Sequence, residues 1–238
     1  MTITPTKHGL RLSQHGVVIS ELRSSPGPTH SVFDVLAALI AVLAPAGRLG
    51  VLGFAGGGMV APLQALGVEA MIDSVDLDRA GYDLFCQHCP GWTRRVNWQQ
   101  ADALAWLRRQ PAEFGLLLDD LSVPHNGDVV KPAISWQVLP ALICRRLRPR
   151  GLAVFNLLPP PDGQWKPNLQ RIAGLFKTAR IVHFHEFENR ILVAGDDLPT
   201  ARELGRRLRN ALHPLCSRQA KRIQVTLLRS CGRLNFPA

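Results

Sequence analysis

Short apolar runs alternate with segments of helical spacing along most of this chain. "RLGVLGF", "AMIDSVDLD", "VNWQQAD", "FGLLLDDLS" and "GLAVFNLLP" read as strands. "MVAPLQALG", "RAGYDLFCQHC", "ALAWLRRQP", "ISWQVLPALICRRLRP" and "NLQRIAGLFKTA" read as the helices around and between them. Short apolar strands alternating with helices predict a parallel sheet covered on both faces. "RIVHFHEFENRILVAGD" reads as strand, tight turn, strand. Too few residues around Glu188 and Asn189 are left for a crossover, so these last two strands pair antiparallel.

Ahead of the sheet, "GLRLSQHGVVISEL" alternates weakly around turn residues and reads as a short β-hairpin. A helix follows over 31–43, with Ser31 as N-cap, Asp34 in the first turn, and Pro45 and Gly47 as the stop. Beyond Pro199, Leu204, Leu208, Ala211 and Leu212 mark one face of an Arg-rich helix, with Thr200 as its N-cap. The predicted fold is α/β: a Rossmann-like, doubly wound, mostly parallel sheet with a terminal antiparallel hairpin. The expected divisions are a hairpin and loop at 1–29, the main domain at 30–198, and a basic helical tail at 199–238.

At 238 residues and 46% hydrophobic, the chain can bury a large core. No apolar run reaches the roughly eighteen uninterrupted residues of a membrane span, and the start lacks the pattern of a signal peptide. The expectation is a cytoplasmic protein with no membrane partner. The five cysteines fit a reducing compartment. Cys86 and Cys89 form a C-x-x-C without a second pair, and His183 and His185 share a strand face far along the sheet. Neither predicts a metal site.

The net charge of +10 is uneven: from Thr200 on, eight Arg and one Lys face one Glu, which makes +8. Such a tail suits nucleic acid or another acidic partner, although no aromatic residues interleave the arginines. Its apolar stripe can pack on the body or on a second subunit, as in a homodimer.

In an open parallel sheet, ligands bind beyond the carboxyl ends of the strands, near the point where strand order reverses. Those ends carry Gly53 to Gly58, Asp76 and Asp78, Asp102, Asp119 and Asp120, and Asn156. The glycine turn lets backbone approach a ligand closely, and a helix start after it favours an anion. No Lys-Ser or Lys-Thr pair follows, which excludes a P-loop, and G-x-A-x-x-G is a flawed match to the dinucleotide fingerprint. Asp76, about twenty residues on, can accept both hydroxyls of a ribose. Asp102 can accept from an adenine amine, and Asp120 stands at the mouth of the site.

The ordered set "VLGFAGGGMVAPL … SVDLD … QADALAWL … FGLLLDDLSVP … LRPRGLAVFNLLP … ENRILVAGD" resembles the spermidine-synthase-like branch of the class I S-adenosylmethionine-dependent methyltransferase fold, over about residues 10 to 196. The resemblance implies a seven-stranded sheet. It implies that Gly53, Phe54, Ala55, Gly56 and Gly57 line the cofactor's tail, that Asp76 and Leu77 hold the ribose, and that Asp102 and Ala103 meet the adenine. Asp120 would sit beside the sulfonium and the acceptor, as base or orienting group. A small-molecule acceptor is implied, with His30, His125 and Asn126 as candidates to bind it.

The resemblance also implies where this chain departs from its family. Aminopropyltransferases carry an Asp in the glycine turn, where Gly56 stands, and another three residues after the fourth-strand Asp, where Val123 stands. With two carboxylates missing, methyl transfer from S-adenosylmethionine is expected over aminopropyl transfer from its decarboxylated form. Asp119, Asp128 and Asp34 remain as partial substitutes for the missing acids. A non-catalytic relative that binds a partner through the basic tail is the third expectation.

Overall fold

A computed structural model describes residues 1–43, 47–111 and 113–228. Three strands, β1 (Thr2–Thr6), β2 (Gly9–Gln14) and β3 (Val17–Arg23), form a small antiparallel sheet. The main body then runs α1 (Val32–Leu43), β4 (Arg48–Leu52), α2 (Val60–Ala65), β5 (Ile72–Asp76), α3 (Ala80–His88), β6 (Val96–Gln100), α4 (Ala103–Arg109) and β7 (Phe114–Asp119). A two-stranded ribbon, β8 (Val123–His125) and β9 (Asp128–Val130), precedes α5 (Ala133–Gln137), α6 (Leu139–Arg146) and β10 (Leu147–Leu157). The chain continues with α7 (Trp165–Ala173), β11 (Thr178–Phe184), β12 (Arg190–Gly195), α8 (Ala201–Leu212) and β13 (Ile223–Leu227).

The main sheet has the order β13-β11-β12-β10-β7-β4-β5-β6. Its β6, β5, β4, β7 and β10 run parallel, and β12, β11 and β13 join antiparallel. The chain moves outward from β4 through β5 to β6, then returns to place β7 on β4's other side. The reversal of strand order therefore lies between β4 and β7, where the glycine turn and Asp120 emerge.

Period-two alternation builds the two faces. In β12, Ile191 and Val193 enter one core cluster, while Leu192 and Ala194 enter the other. In β10, Leu152 and Val154 face one way, and Ala153, Phe155 and Leu157 the other. The first face is covered by α1 and α8, with Leu204, Leu208 and Leu212 fully buried in it. The tail helix is thus a layer of the main body, and among the described residues β13 extends the expected seven strands to eight. β13 has no sequence signal strong enough to separate it from the basic run before it.

β1 lies ahead of the expected hairpin: its Thr-Ile-Thr-Pro-Thr pattern holds Pro5, which suits only an edge strand. The expected stop of α1 at Pro45 lies outside the described residues. Ser31 caps as expected, its Oγ accepting from Phe33 N at 3.3 Å, and Thr200 Oγ1 accepts from Glu203 N at 3.2 Å. No helix among the described residues is long and apolar enough to cross a membrane.

Candidate functional site

A cavity of about 560 Å³ opens at the carboxyl ends of the parallel strands. Single drug-sized ligands sit in pockets of about 300–1,000 Å³. Of the residues singled out in the sequence, Gly53, Ala55, Asp76, Leu77, Asp102, Ala103 and Asp120 line it. Phe54, Gly56, Gly57, His30, His125 and Asn126 do not.

The turn after β4 is held by hydrogen bonds to β5 and packs against β7. Gly53 N donates to Val75 O at 2.9 Å, and Asp120 N donates to Leu52 O at 2.8 Å. Gly53 has φ +87°, and a Cβ there would fall 2.7 Å from Asp120 O, so no other residue fits without strain. One carboxylate oxygen of Asp76 accepts from both Phe54 N (2.9 Å) and Ala55 N (2.8 Å), and the other accepts from Asp78 N at 3.2 Å. Asp76 therefore clamps the turn as well as lining the cavity. Those two amides are consequently committed to protein. Ala55 takes φ +45°, a left-handed conformation for a residue with a Cβ. Asp102 sits in extended conformation as N-cap of α4, Oδ1 accepting from Ala105 N at 2.8 Å.

The rest of the turn faces inward. Phe54 is buried edge-on against Tyr82 and Phe85. A Cβ on Gly56 would fall 2.5 Å from Leu22 Cδ1 and 2.8 Å from Leu12 Cδ1, so the N-terminal sheet covers this position. A Cβ on Gly58 would meet the Phe33 ring, so the start of α2 is covered too. The expectation that α2 offers its N-terminus to an anion does not hold in this geometry. The missing acid at Gly56 also loses its meaning, because a carboxylate there would point into the core.

Asp120 ends a chain of side-chain bonds. Asn156 Nδ2 donates to Asp120 Oδ1 at 2.7 Å, and Asn189 Nδ2 donates to Asn156 Oδ1 at 2.9 Å. Desolvation pushes Asp120 up from an ordinary 3.8 to about 6; nearby Lys131 and the Asn156 bond oppose that rise, and Asp119 and Asp76 add to it. In the sequence Asn189 reads only as a turn residue, because its role depends on a contact between β10 and the β11–β12 turn.

Asp119 is fully buried, and its Oδ1 accepts from Lys131 Nζ at 2.8 Å and from Leu121 N at 3.1 Å. Asp34 is also fully buried, accepting from Thr29 N, Thr29 Oγ1 and His30 N. Neither is available to a ligand, and Asp128 is exposed outside the cavity. His125 and Asn126 form the exposed tip of the β8–β9 ribbon, where Asn126 and Gly127 both have positive φ. That Asn-Gly pair builds a tight hairpin turn. His30 does not line the cavity; its carbonyl accepts from buried Gln219, which also reaches Glu186. Cys89 Sγ donates to Arg23 O, and burial pushes its thiol up to about 11, which leaves it protonated and poorly nucleophilic.

No family model and no curated protein sequence matches this chain. Solved structures do. Human methyltransferase-like protein 13 in complex with SAH superposes with a TM-score of 0.60 at 20% identity, over 79% of this chain and 91% of that one. Spermidine synthase from Thermotoga maritima gives 0.62 at 15%, over 81% and 67%. A spermidine synthase in complex with the transition state analogue AdoDATO gives 0.59 at 14%, over 84% and 74%. With the strand order, the antiparallel end and the turn after β4 in place, these likenesses identify the S-adenosylmethionine-dependent methyltransferase-like fold, in a form similar to that of spermidine synthases.

Proposed function

We propose that this protein is a transferase that binds S-adenosylmethionine and moves its methyl group to a small-molecule acceptor. One observation carries the reading: a single cavity joins Asp76, Asp102 and the open part of the glycine turn to Asp120 on the other side of the strand reversal. The cradle suits an adenosyl group. A Cβ on Gly81 would fall 2.2 Å from Ala55 O, so α3 closes on the turn with no side chain between them. Asp76 would hold the ribose, Asp102 and Ala103 the adenine, and Gly53 with Ala55 the amino-acid end. When bound, S-adenosylmethionine supplies an electrophilic methyl group whose bond to sulfur breaks with the electron pair left on sulfur. Asp120 receives or orients the acceptor's proton, with Asn156 and Asn189 fixing its carboxylate. At about 6, its pKa leaves it ionised and basic at neutral pH.

Two of the similar structures are spermidine synthases, so aminopropyl transfer is the rival. The amino-acid end of S-adenosylmethionine carries its own carboxylate against its ammonium. The decarboxylated form brings a lone ammonium that needs a protein acid. A polyamine acceptor would need acids as well; Val123 lines the cavity where the resemblance places one of them, and Asp119 and Asp34 are committed elsewhere. Calorimetric titration with both compounds tests the reading. Tighter binding of S-adenosylmethionine is expected. Equal or tighter binding of the decarboxylated form would replace methyl by aminopropyl transfer, and no binding of either would remove the cofactor.

Gly56→Asp separates this explanation from the one based on the turn's missing acid. The new carboxylate would lie under Leu12 and Leu22, near Ser20 Oγ. A loss of roughly 2–4 kcal/mol in denaturant unfolding is expected, with no gain in affinity for the decarboxylated compound. A stable variant that gains that affinity would show that position 56 faces the ligand after all.

A further inference from the structure

Part of the cavity has no use in holding an adenosyl group. Its walls come from the N-terminal sheet (Leu12, Val18), the start of α1 (Phe33), the β8–β9 ribbon (Val123), Pro132 and the β11–β12 turn (Phe187). These are apolar groups from five separate segments, converging on one space beside Asp120. Asp76, Asp78 and Asp102 line the cavity too, but they lie at or beyond the ends of β5 and β6, on the far side of β4 from β7. Among the described lining residues outside those strand ends, Asp120 is the single ionisable side chain. Of the uncharged polar side chains in that wall, Asn156 bonds to Asp120 and Asn189 bonds to Asn156, while Gln14, Ser31 and Ser122 carry no charge to offset.

The geometry points to an uncharged, largely apolar acceptor with a single hydroxyl donor, whose body fills the space between the N-terminal sheet and the β8–β9 ribbon while its hydroxyl meets Asp120. This deepens the methyl-transfer reading and rests on it for the word acceptor, but the binding site itself does not depend on the cofactor. Apolar walls favour a ligand in proportion to the apolar area that both remove from water. A polyamine would have to strip water from at least two ammonium groups and would find one carboxylate here. Desolvation is the main cause of that carboxylate's raised pKa, which agrees with the apolar wall. A hydroxyl donor, by contrast, satisfies Asp120 without leaving a second charge buried.

The test uses the full chain, with and without saturating S-adenosylhomocysteine, titrated by calorimetry with 4-pentylphenol, pentylbenzene and putrescine. The phenol is expected to bind, pentylbenzene at least about tenfold more weakly for lack of the donor, and putrescine not detectably. Val123→Asp should weaken the phenol by about tenfold or more, while Val123→Leu stays within about threefold. Melting curves of both variants establish that they fold; both changes lie on a small surface ribbon.

Putrescine binding as tight as the phenol would overturn the proposal. So would phenol binding that Val123→Asp leaves unchanged, or S-adenosylhomocysteine binding with no phenol binding in either state. Phenol binding without any S-adenosylhomocysteine binding would support the site while removing the methyl-transfer reading, so the two failures are distinguishable.

Discussion

Asp120→Asn is expected to move activity and stability in opposite directions. The folded protein holds Asp120 at about 6, against an ordinary 3.8. A carboxyl raised in this way is more easily left protonated in the fold than in the open chain. Its favourable contribution is therefore complete below about pH 4 and is lost as pH rises through 6. An asparagine carries no such penalty at any pH. A rise from 3.8 to about 6 corresponds to about 3 kcal/mol. Asp120 borders an open cavity and water reaches it, which trims the expected gain to about 1–2 kcal/mol.

The variant should therefore unfold at higher denaturant than the parent at pH 8, and the two should converge near pH 4. Transfer to any acceptor should fall by about 10²–10⁴-fold if Asp120 acts as base. The parent's rate should decline below about pH 6, as the carboxylate takes up its proton. Unfolding curves at pH 4 and pH 8 read the first effect, and a pH–rate profile reads the second. A variant destabilised at pH 8 would mean that Asp120 is held in place by structural need rather than tuned for chemistry.

The polar edge of the candidate site was legible in the sequence because parallel strands place their polar residues by simple rule. An apolar run that ends in Asp, as at Asp76 and Asp120, puts that carboxylate at the sheet's carboxyl edge whatever the rest of the chain does. Short apolar runs made β4, β7, β10 and β12 readable in the same way. What covers those ends was not legible. Gly56 looks like an open position in a glycine-rich turn, but Leu12 and Leu22 close over it from more than thirty residues upstream. His125 and Asn126 look like ligand-facing polar groups, and local φ angles turn them into the tip of a ribbon. The apolar acceptor wall is assembled from segments that share no motif, so only the three-dimensional packing brings Phe33, Val123 and Phe187 together. Lys131 carried no signal at all: in "DVVKP" it reads as an ordinary loop cation.

That lysine should be the least replaceable charge in the protein. Lys131 Nζ lies 2.8 Å from Asp119 Oδ1 and 3.2 Å from Asp119 O, and both side chains are wholly buried. Burial of such a pair is no proof of net stabilisation, because the desolvation of two ions offsets their attraction. Removing one partner is different, since it strands the other charge in the core, at a cost of about 3–5 kcal/mol. Lys131→Met keeps the length and apolar stem of the side chain and removes only the ammonium. It should lose that amount in chemical denaturation.

Adding Asp119→Leu to Lys131→Met should restore much of the loss, because no ion is then left unpaired, although Leu121 N forfeits its acceptor. The same lysine also opposes the rise in Asp120's pKa. In Lys131→Met protein that remains folded, the acidic limb of the rate profile should therefore move above pH 6. A purely structural role for the pair would lower stability and leave that limb in place. A shifted limb would mean that the buried pair beneath β7 sets the basicity of the group one residue further along the chain.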